Sequence, residues 1–445
     1  MRGWKPFAVL VILVLTAGTS FAGGFRLPEA GAKAMGMGFA FTAQADDPSA
    51  IYFNPAGLTQ LEGNNLKLGV TYVRENGGEF SGITPLSGGV SISETQKDLN
   101  FYIPNLFFAH SNRETGFAWG VGVFVPFGLG QEYENRNTSY FRNQITKIDL
   151  QTIVVNPTIA FKVEDRFSVG VGIDFMYGKA KLEKTAVVNL GAPVNLYNLD
   201  LDGDGTAWGY NFGLLFTPTK RLKIGFNYRS SFHLDIKDGD VDISNINSTV
   251  PFVPNPAPPP AAFTAAQVFG GTSYSTKGST TLEIPATATL GVAYAWDRVT
   301  VEVDADMTFW SSFKSLDIDI QNNNPLLPDS YTAKNWKDVI AVYVGGEYRV
   351  IDPLALRLGF RYDPTPVPAS TMGPELPDAD KLYYCAGLGY KYSNWIFDVA
   401  YMYVQKKDRT VNNQTSPAPP SVGTGFDGTW KGDAHLVALD IGYKF

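Results

Sequence analysis

Four things are scarce in this 445-residue chain: cysteine, histidine, positive charge and long apolar runs. The one cysteine, Cys385, rules out an internal disulfide, so stability must come from hydrogen bonding and packing, and the thiol is expected to pack rather than react. The three histidines, His110, His233 and His435, stand far apart, and no Ser or Cys lies in a recognisable nucleophile context. Acyl-transfer chemistry therefore has no visible engine, no catalytic residue is assigned, and no cofactor is expected. With 36 Lys and Arg against 43 Asp and Glu, the formal charge is −7, which argues against nucleic acid as a partner. The longest apolar run, 7–17, is too short to span a bilayer as a helix, so a helical membrane protein is excluded.

What the chain has is alternation. In Trp208, Tyr210, Phe212, Leu214 and Phe216 every second residue is large and apolar, while mostly small or polar residues fill the places between. A strand with that pattern has one greasy face and one small or polar face. Fourteen such segments run from 65–74 to 434–445, and the last, Val437, Leu439, Ile441, Tyr443 and Phe445, ends on an aromatic. Their connections alternate long and short, the short ones including Glu164-Asp165-Arg166 and Ser393-Asn394. This predicts an all-β fold, a fourteen-stranded antiparallel transmembrane β-barrel with both ends on the periplasmic side. Aromatic residues at 13% and 45 glycines fit lipid-facing strands with small inner faces, although a soluble sandwich has similar composition.

The expected domains are a signal peptide over 1–22, a hatch over 23–63 and the barrel over 64–445. Residues 1–22 carry Arg2 and Lys5, an apolar stretch and then Ser20-Phe21-Ala22, which reads as a cleaved leader. A lumen of fourteen strands is wider than its own side chains can fill. The segment 23–63 is rich in Gly and Ala, lacks alternation, and carries Phe25, Met35, Met37, Phe39, Phe41, Ile51 and Phe53, too many for a solvated tail. It is expected to fold inward as the plug. The other reading is a flexible periplasmic extension.

At this point particular residues carry a likeness. Gly24-Phe25, Asp46-Asp47-Pro48-Ser49-Ala50 and Asn54-Pro55-Ala56-Gly57-Leu58-Thr59 resemble the amino-terminal hatch signature of the FadL/TodX family of outer-membrane transporters for hydrophobic compounds. Further blocks follow in matching order: Tyr102-Ile103-Pro104-Asn105, Val125-Pro126-Phe127-Gly128, Lys179-Ala180-Lys181-Leu182-Glu183, and Asp363 with Pro366-Val367-Pro368 and Pro377-Asp378-Ala379-Asp380-Lys381. The resemblance implies a hatch-closed barrel for long-chain fatty acids or, in related members, aromatic hydrocarbons. It also implies sideways exit beside an inward kink in the third strand, at Val125, Pro126, Phe127 and Gly128. The residues support that kink independently, because Pro126 has no N–H to give to a ladder. The alternative is a bulge with no transport role.

A fatty acid needs an apolar slot and a cation or donors for its head. The resemblance implies head-group partners at Lys184 and Lys337, with Phe25 assigned to the same ligand site. Alternation puts Lys337 on one face with Val339 and Ala341, opposite Trp336, Asp338 and Ile340. For both lysines a rim charge binding lipopolysaccharide phosphate is the other reading. Arg357 and Arg361 alternate with Leu354, Leu356, Leu358, Phe360 and Tyr362, and so point inward, as do Glu302, Asp304 and Asp306. Opposite charges inside a barrel brace the wall or hatch, or contact ligand. Asp200, Asp202 and Asp204 copy the opening of a calcium loop, but Asn211 stands where a bidentate glutamate belongs, so a solvated aspartate turn is favoured. The connection 235–279, with Pro251, Pro254, Pro256, Pro258, Pro259 and Pro260 before an apolar 261–270, is expected to hold a short helix that collects ligand or caps a neighbouring loop.

The expected function is passive, ligand-gated uptake into the outer membrane of a Gram-negative bacterium. Ligand is captured at the outer loops, hatch movement occurs near Asn54, Pro55 and Ala56, and exit is lateral beside Pro126. The expected partners are a hydrophobic small molecule, outer-membrane lipid and lipopolysaccharide, with the protein acting as a monomer. An aromatic-hydrocarbon channel, a lipid-active enzyme, a general porin and a surface adhesin are the competing classes.

Overall fold

The computed structural model describes residues 23–252, 263–322, 324–413 and 425–445. The expected leader, 1–22, and most of the proline run lie outside the described residues. Fourteen antiparallel strands close on themselves: β1 Gly63–Ile83, β2 Leu99–Asn112, β3 in two pieces, Phe117–Phe124 and Gly128–Glu132, β4 Lys147–Glu164, β5 Phe167–Asn189, β6 Pro193–Phe216 and β7 in two pieces, Leu222–Arg229 and Phe232–Ser244. Then follow β8, as Tyr274–Ile284 and Thr287–Ala295, β9 Val299–Thr308, β10 Val339–Ile351, β11 Leu354–Asp363, β12 Lys381–Tyr392, β13 Trp395–Lys406 and β14 Asp427–Lys444. β14 pairs with β1 from Asn65↔Lys444 to Ile83↔Asp427, and Asn64 and Phe445 exchange backbone hydrogen bonds at 3.0 and 2.9 Å. No edge is left at that seam, as a bilayer requires.

Alternation sets the faces. Val437, Leu439 and Ile441 of β14 are exposed outward while Leu436, Ala438 and Asp440 are buried, and Leu66, Leu68 and Val70 of β1 face out where Lys67 and Thr71 face in. The short turns gather at one end and the long connections at the other. Several strands overrun their expected limits at the long-connection end: β1 continues to Ile83, and β5 and β6 form a hairpin out to Asn189 and Pro193. The register Lys179↔Asp204 and Lys181↔Asp202 extends the ladder above the membrane span, where opposite charges across the strands replace the apolar alternation read in the sequence. Leu196 and Leu199 of β6, Val241 and Ile243 of β7 and the short helix Ala265–Phe269 form a separate apolar cluster above the barrel.

Inside the barrel, 23–62 is folded into a compact unit with two short helices, α1 Ala32–Gly36 and α2 Ala50–Phe53. Phe25, Leu27, Met35, Met37, Phe39, Phe41, Ile51 and Phe53 are all buried. Each such side chain contributes roughly 1.5–3 kcal/mol relative to exposure. The inward glycines of the wall make room: a Cβ on Gly213 would strike Asn54 and Pro55, and one on Gly387 would come within 2.9 Å of Gly36.

Candidate ligand-binding and gating site

A tightly coiled segment lodged in a lumen has backbone N–H groups that helices and strands do not satisfy, and buried donors must find acceptors. β9 supplies them. Period-two geometry puts Glu302, Asp304 and Asp306 on its inner face, in a column. Glu302 accepts from Ala43 N at 2.6 Å and Gln44 N at 2.9 Å, and Asp304 accepts from Phe41 N at 3.1 Å and Thr42 N at 3.0 Å. Asp306 takes the guanidinium of Arg26, with Nη2 at 2.9 Å. On the opposite wall Asp440 accepts from Ala32 N at 2.6 Å and pairs with Lys67 at 2.9 Å. Asn54 ties the far end: its Nδ2 donates to Thr42 O at 2.8 Å and to Leu214 O of β6 at 2.9 Å, and its Oδ1 accepts from Ala56 N at 3.2 Å. Gly23 N donates to Asp363 at 2.7 Å and Gly24 N to Asp378 at 3.3 Å.

Above this unit lies an apolar cavity of about 140 Å³, lined among others by Phe25, Leu129, Leu150, Leu182, Ile236, Leu282, Phe313, Trp336 and Leu376. Phe25 is held edge-on by Trp310 and Phe313, with ring centroids at 4.7 and 5.7 Å, and also meets Trp336 at 5.7 Å and Phe127 at 6.0 Å. The cavity has a buried cation, Lys334, ion-paired with Glu375, and both residues line it. Lys181 and Asp202 also line it.

Phe25 connects this cavity to the barrel wall. Between its two pieces β3 leaves the sheet at Val125, Pro126 and Phe127. There its backbone pairs inward with the amino-terminal segment: Leu27 N donates to Pro126 O at 2.8 Å and Gly128 N to Phe25 O at 2.9 Å. β2 pairs with β3 from Asn112↔Phe117 only as far as Leu106↔Val123. The chain meets again just before β2 and at the end of β3, at Gln96↔Tyr133 and through Lys97 N to Glu132 O at 2.8 Å. Among the described residues no ladder pair joins the two strands between these points. The other side of β3 stays closed on β4, through Gly128↔Gln151 to Glu132↔Lys147. The hydrogen-bond ladder of the wall is thus interrupted beside the residues that touch Phe25.

The remaining expected site residues fall in different places. Arg361 is buried, pairs with Asp363 and stacks between Tyr383 at 4.6 Å and Tyr343 at 4.8 Å. Arg357 is buried between Glu347 and Asp398, each at 2.7 Å, on a polar cavity of about 240 Å³ at the short-turn end. Both arginines lie off the apolar cavity. Lys184 is half-buried on β5 one alternation beyond Leu182, outside the ring that lines the cavity. Lys337 is corrected: it is exposed, while Trp336 points in. The strand begins only at Val339, so alternation does not reach back to Lys337, and the preceding turn brings Lys334 and Trp336 inward instead. The favoured aspartate turn at 200–205 is corrected too, and the calcium loop weighed beside it is not formed. Asp200, Asp202 and Asp204 lie within β6 as an extended row, with Asp200 paired to Arg136 at 2.7 Å and Asp202 to Lys179 at 3.2 Å. Extended backbone spreads carboxylates that a loop would converge, and among the described residues no group of three acidic, histidine or cysteine side chains is arranged to hold a metal ion. In 235–279 the apolar helix packs as a cap, with Phe269 against Tyr197 at 5.2 Å. Sequence reasoning missed Lys334, Glu375, Trp310 and Arg26. The first three sit in irregular connections, where no periodicity assigns a face.

The model of the family described as outer membrane protein transport protein (OMPP1/FadL/TodX) matches residues 13–445. A long-chain fatty acid transport protein of Escherichia coli O6:H1 is 27% identical over 431 residues, which cover 90% of this chain and 91% of that protein. Among solved structures, a Pseudomonas aeruginosa FadL homologue superposes with a TM-score of 0.77 at 22% identity, covering 95% of this chain and all of that one. The Ralstonia pickettii toluene transporter TbuX gives 0.65 at 19% identity, covering 93% and 98%.

Proposed function

The chain belongs to the OMPP1/FadL/TodX family of outer-membrane transport proteins, and from that premise we propose that it takes up long-chain fatty acids by passive, ligand-gated diffusion with lateral exit through the barrel wall. At the coarser level it is a transporter of hydrophobic compounds in the outer membrane of a Gram-negative bacterium, in a family of transporters rather than enzymes. The observation that carries the finer reading is the continuity from the Lys334 cavity through Phe25 to Pro126 and Gly128. The apolar lining accepts the tail, and Lys334 takes over the head-group role expected of Lys184 and Lys337. Displacing Phe25 from its aromatic neighbours strains its hydrogen bond to Gly128, which frees the cavity towards the interrupted ladder between β2 and β3. Asn54, Pro55 and Ala56 act as the fixed end about which 23–45 shifts. The protein works as a monomer among outer-membrane lipid and lipopolysaccharide. Passive movement follows from the absence, in the sequence, of any segment recognisable as an energy-transducing box.

The aromatic ring cluster around Phe25 favours a second reading, uptake of aromatic hydrocarbons, for which Lys334 would be superfluous. Purified protein in liposomes is expected to bind oleate and to conduct small ions poorly. High conductance without oleate binding would mean a general porin, ester hydrolysis a lipid-active enzyme, and binding of toluene but not oleate the aromatic reading.

A further inference from the structure

In the cavity Lys334 already holds a carboxylate, that of Glu375. We propose that Glu375 is a built-in stand-in for the ligand's head group, so that the cavity selects hydrophobic carboxylates by exchanging one carboxylate for another at Lys334. This rests on the uptake reading above and narrows its substrate to acids.

A buried ammonium without a counter-charge is strongly unfavourable, so an apolar pocket that keeps a lysine for its ligand needs a partner for that lysine while empty. Glu375 meets the requirement, and the geometry lets it leave. The Lys334 side chain is 6% exposed and that of Glu375 24%, so on exchange the glutamate has water to move into while the lysine stays. Glu375 reaches Lys334 by folding back over Gly373, where any Cβ would collide with its carboxylate. An entering carboxylate conserves charge at Lys334. An alcohol or hydrocarbon cannot, because expelling Glu375 would strand the buried cation, and leaving it in place keeps the polar end blocked.

The exchange also reaches the gate. Glu375 lies in the connection 364–380, whose Val367, Thr371 and Leu376 line the cavity, and three residues on Asp378 accepts from Gly24 N at 3.3 Å. Releasing Glu375 loosens the connection that holds the amino-terminal residues beside the interrupted ladder.

The test titrates the full chain in detergent micelles with oleate and with oleyl alcohol, using heat-modifiable gel migration to confirm that each variant is folded. Glu375→Gln is expected to tighten oleate binding about tenfold and to change oleyl alcohol binding by about twofold or less. Gly373→Ala, which pushes the glutamate off Lys334 while keeping its charge, is expected to act in the same direction, and Lys334→Ala to weaken oleate about tenfold or more. If Lys334→Ala weakens oleate but neither Glu375→Gln nor Gly373→Ala tightens it, the stand-in is overturned and the uptake reading survives. An equal gain for the alcohol also overturns the stand-in. If the wild-type chain does not bind oleate, both fall.

Discussion

Glu29 sits in the amino-terminal segment, buried, with neither carboxyl oxygen hydrogen-bonded among the described residues. Loss of solvation pushes its pKa up to about 7 from 4.5, against the attraction of Arg361 on β11 and Arg26 on its own segment, with Asp363 reinforcing the rise. Because the value in the folded state exceeds that in the unfolded chain, protonation favours the docked state. The contribution is full below about pH 4.5, declines as pH rises, and is gone above about 7, a span worth roughly 3 kcal/mol. Wild-type protein is therefore expected to melt at a higher temperature at pH 5 than at pH 8 through this group, and Glu29→Gln to reduce that difference. Thermal melts of both proteins at the two pH values check it. At this scale the sequence is legible where a residue sits on a regular strand. Glu302, Asp304 and Asp306 were readable as inward-facing, whereas the choice between Lys334 and Lys337 was not, because both precede the start of β10.

β9 is the element on which the interior unit depends. Two of its carboxylates satisfy four consecutive backbone donors, those of Phe41, Thr42, Ala43 and Gln44. Replacing Glu302 and Asp304 together with alanine would leave these donors unpaired in a buried place, at about 1–3 kcal/mol each. The barrel's own ladder does not use these side chains, so the double variant is expected to assemble yet conduct ions, with single-channel recordings in planar bilayers as the measurement. The break in β3 was legible in outline, since Pro126 cannot donate to a ladder. What local sequence could not reveal is that the backbone freed there is paired with Phe25 and Leu27, about a hundred residues earlier in the chain. The full reach of β5 and β6 was also missed, because there charge pairs such as Lys179 with Asp202 hold the strands together where apolar alternation has stopped.

For the whole molecule, closure is the condition for everything else. β14 supplies the last seam, pairing with both β1 and β13, and its Asp440 anchors Ala32 of the interior unit. Removing 437–445 would expose two strand edges to a medium that offers no hydrogen-bond partner. Such a chain is expected to lose the heat-modifiable form on gels and the trypsin resistance of the barrel, where single lumen substitutions keep both.

The sequence by itself determined the number of strands, their direction and the lipid-facing side of each. These follow from period-two alternation, connection lengths and composition, all of which are local. Only the tertiary structure decided which buried cation lines the cavity, which carboxylate is paired with it, and that the gap in β3 is bridged from inside by Phe25 and Leu27. Those depend on irregular connections brought together across the lumen, where side-chain direction comes from long-range packing and no repeat in the chain announces it.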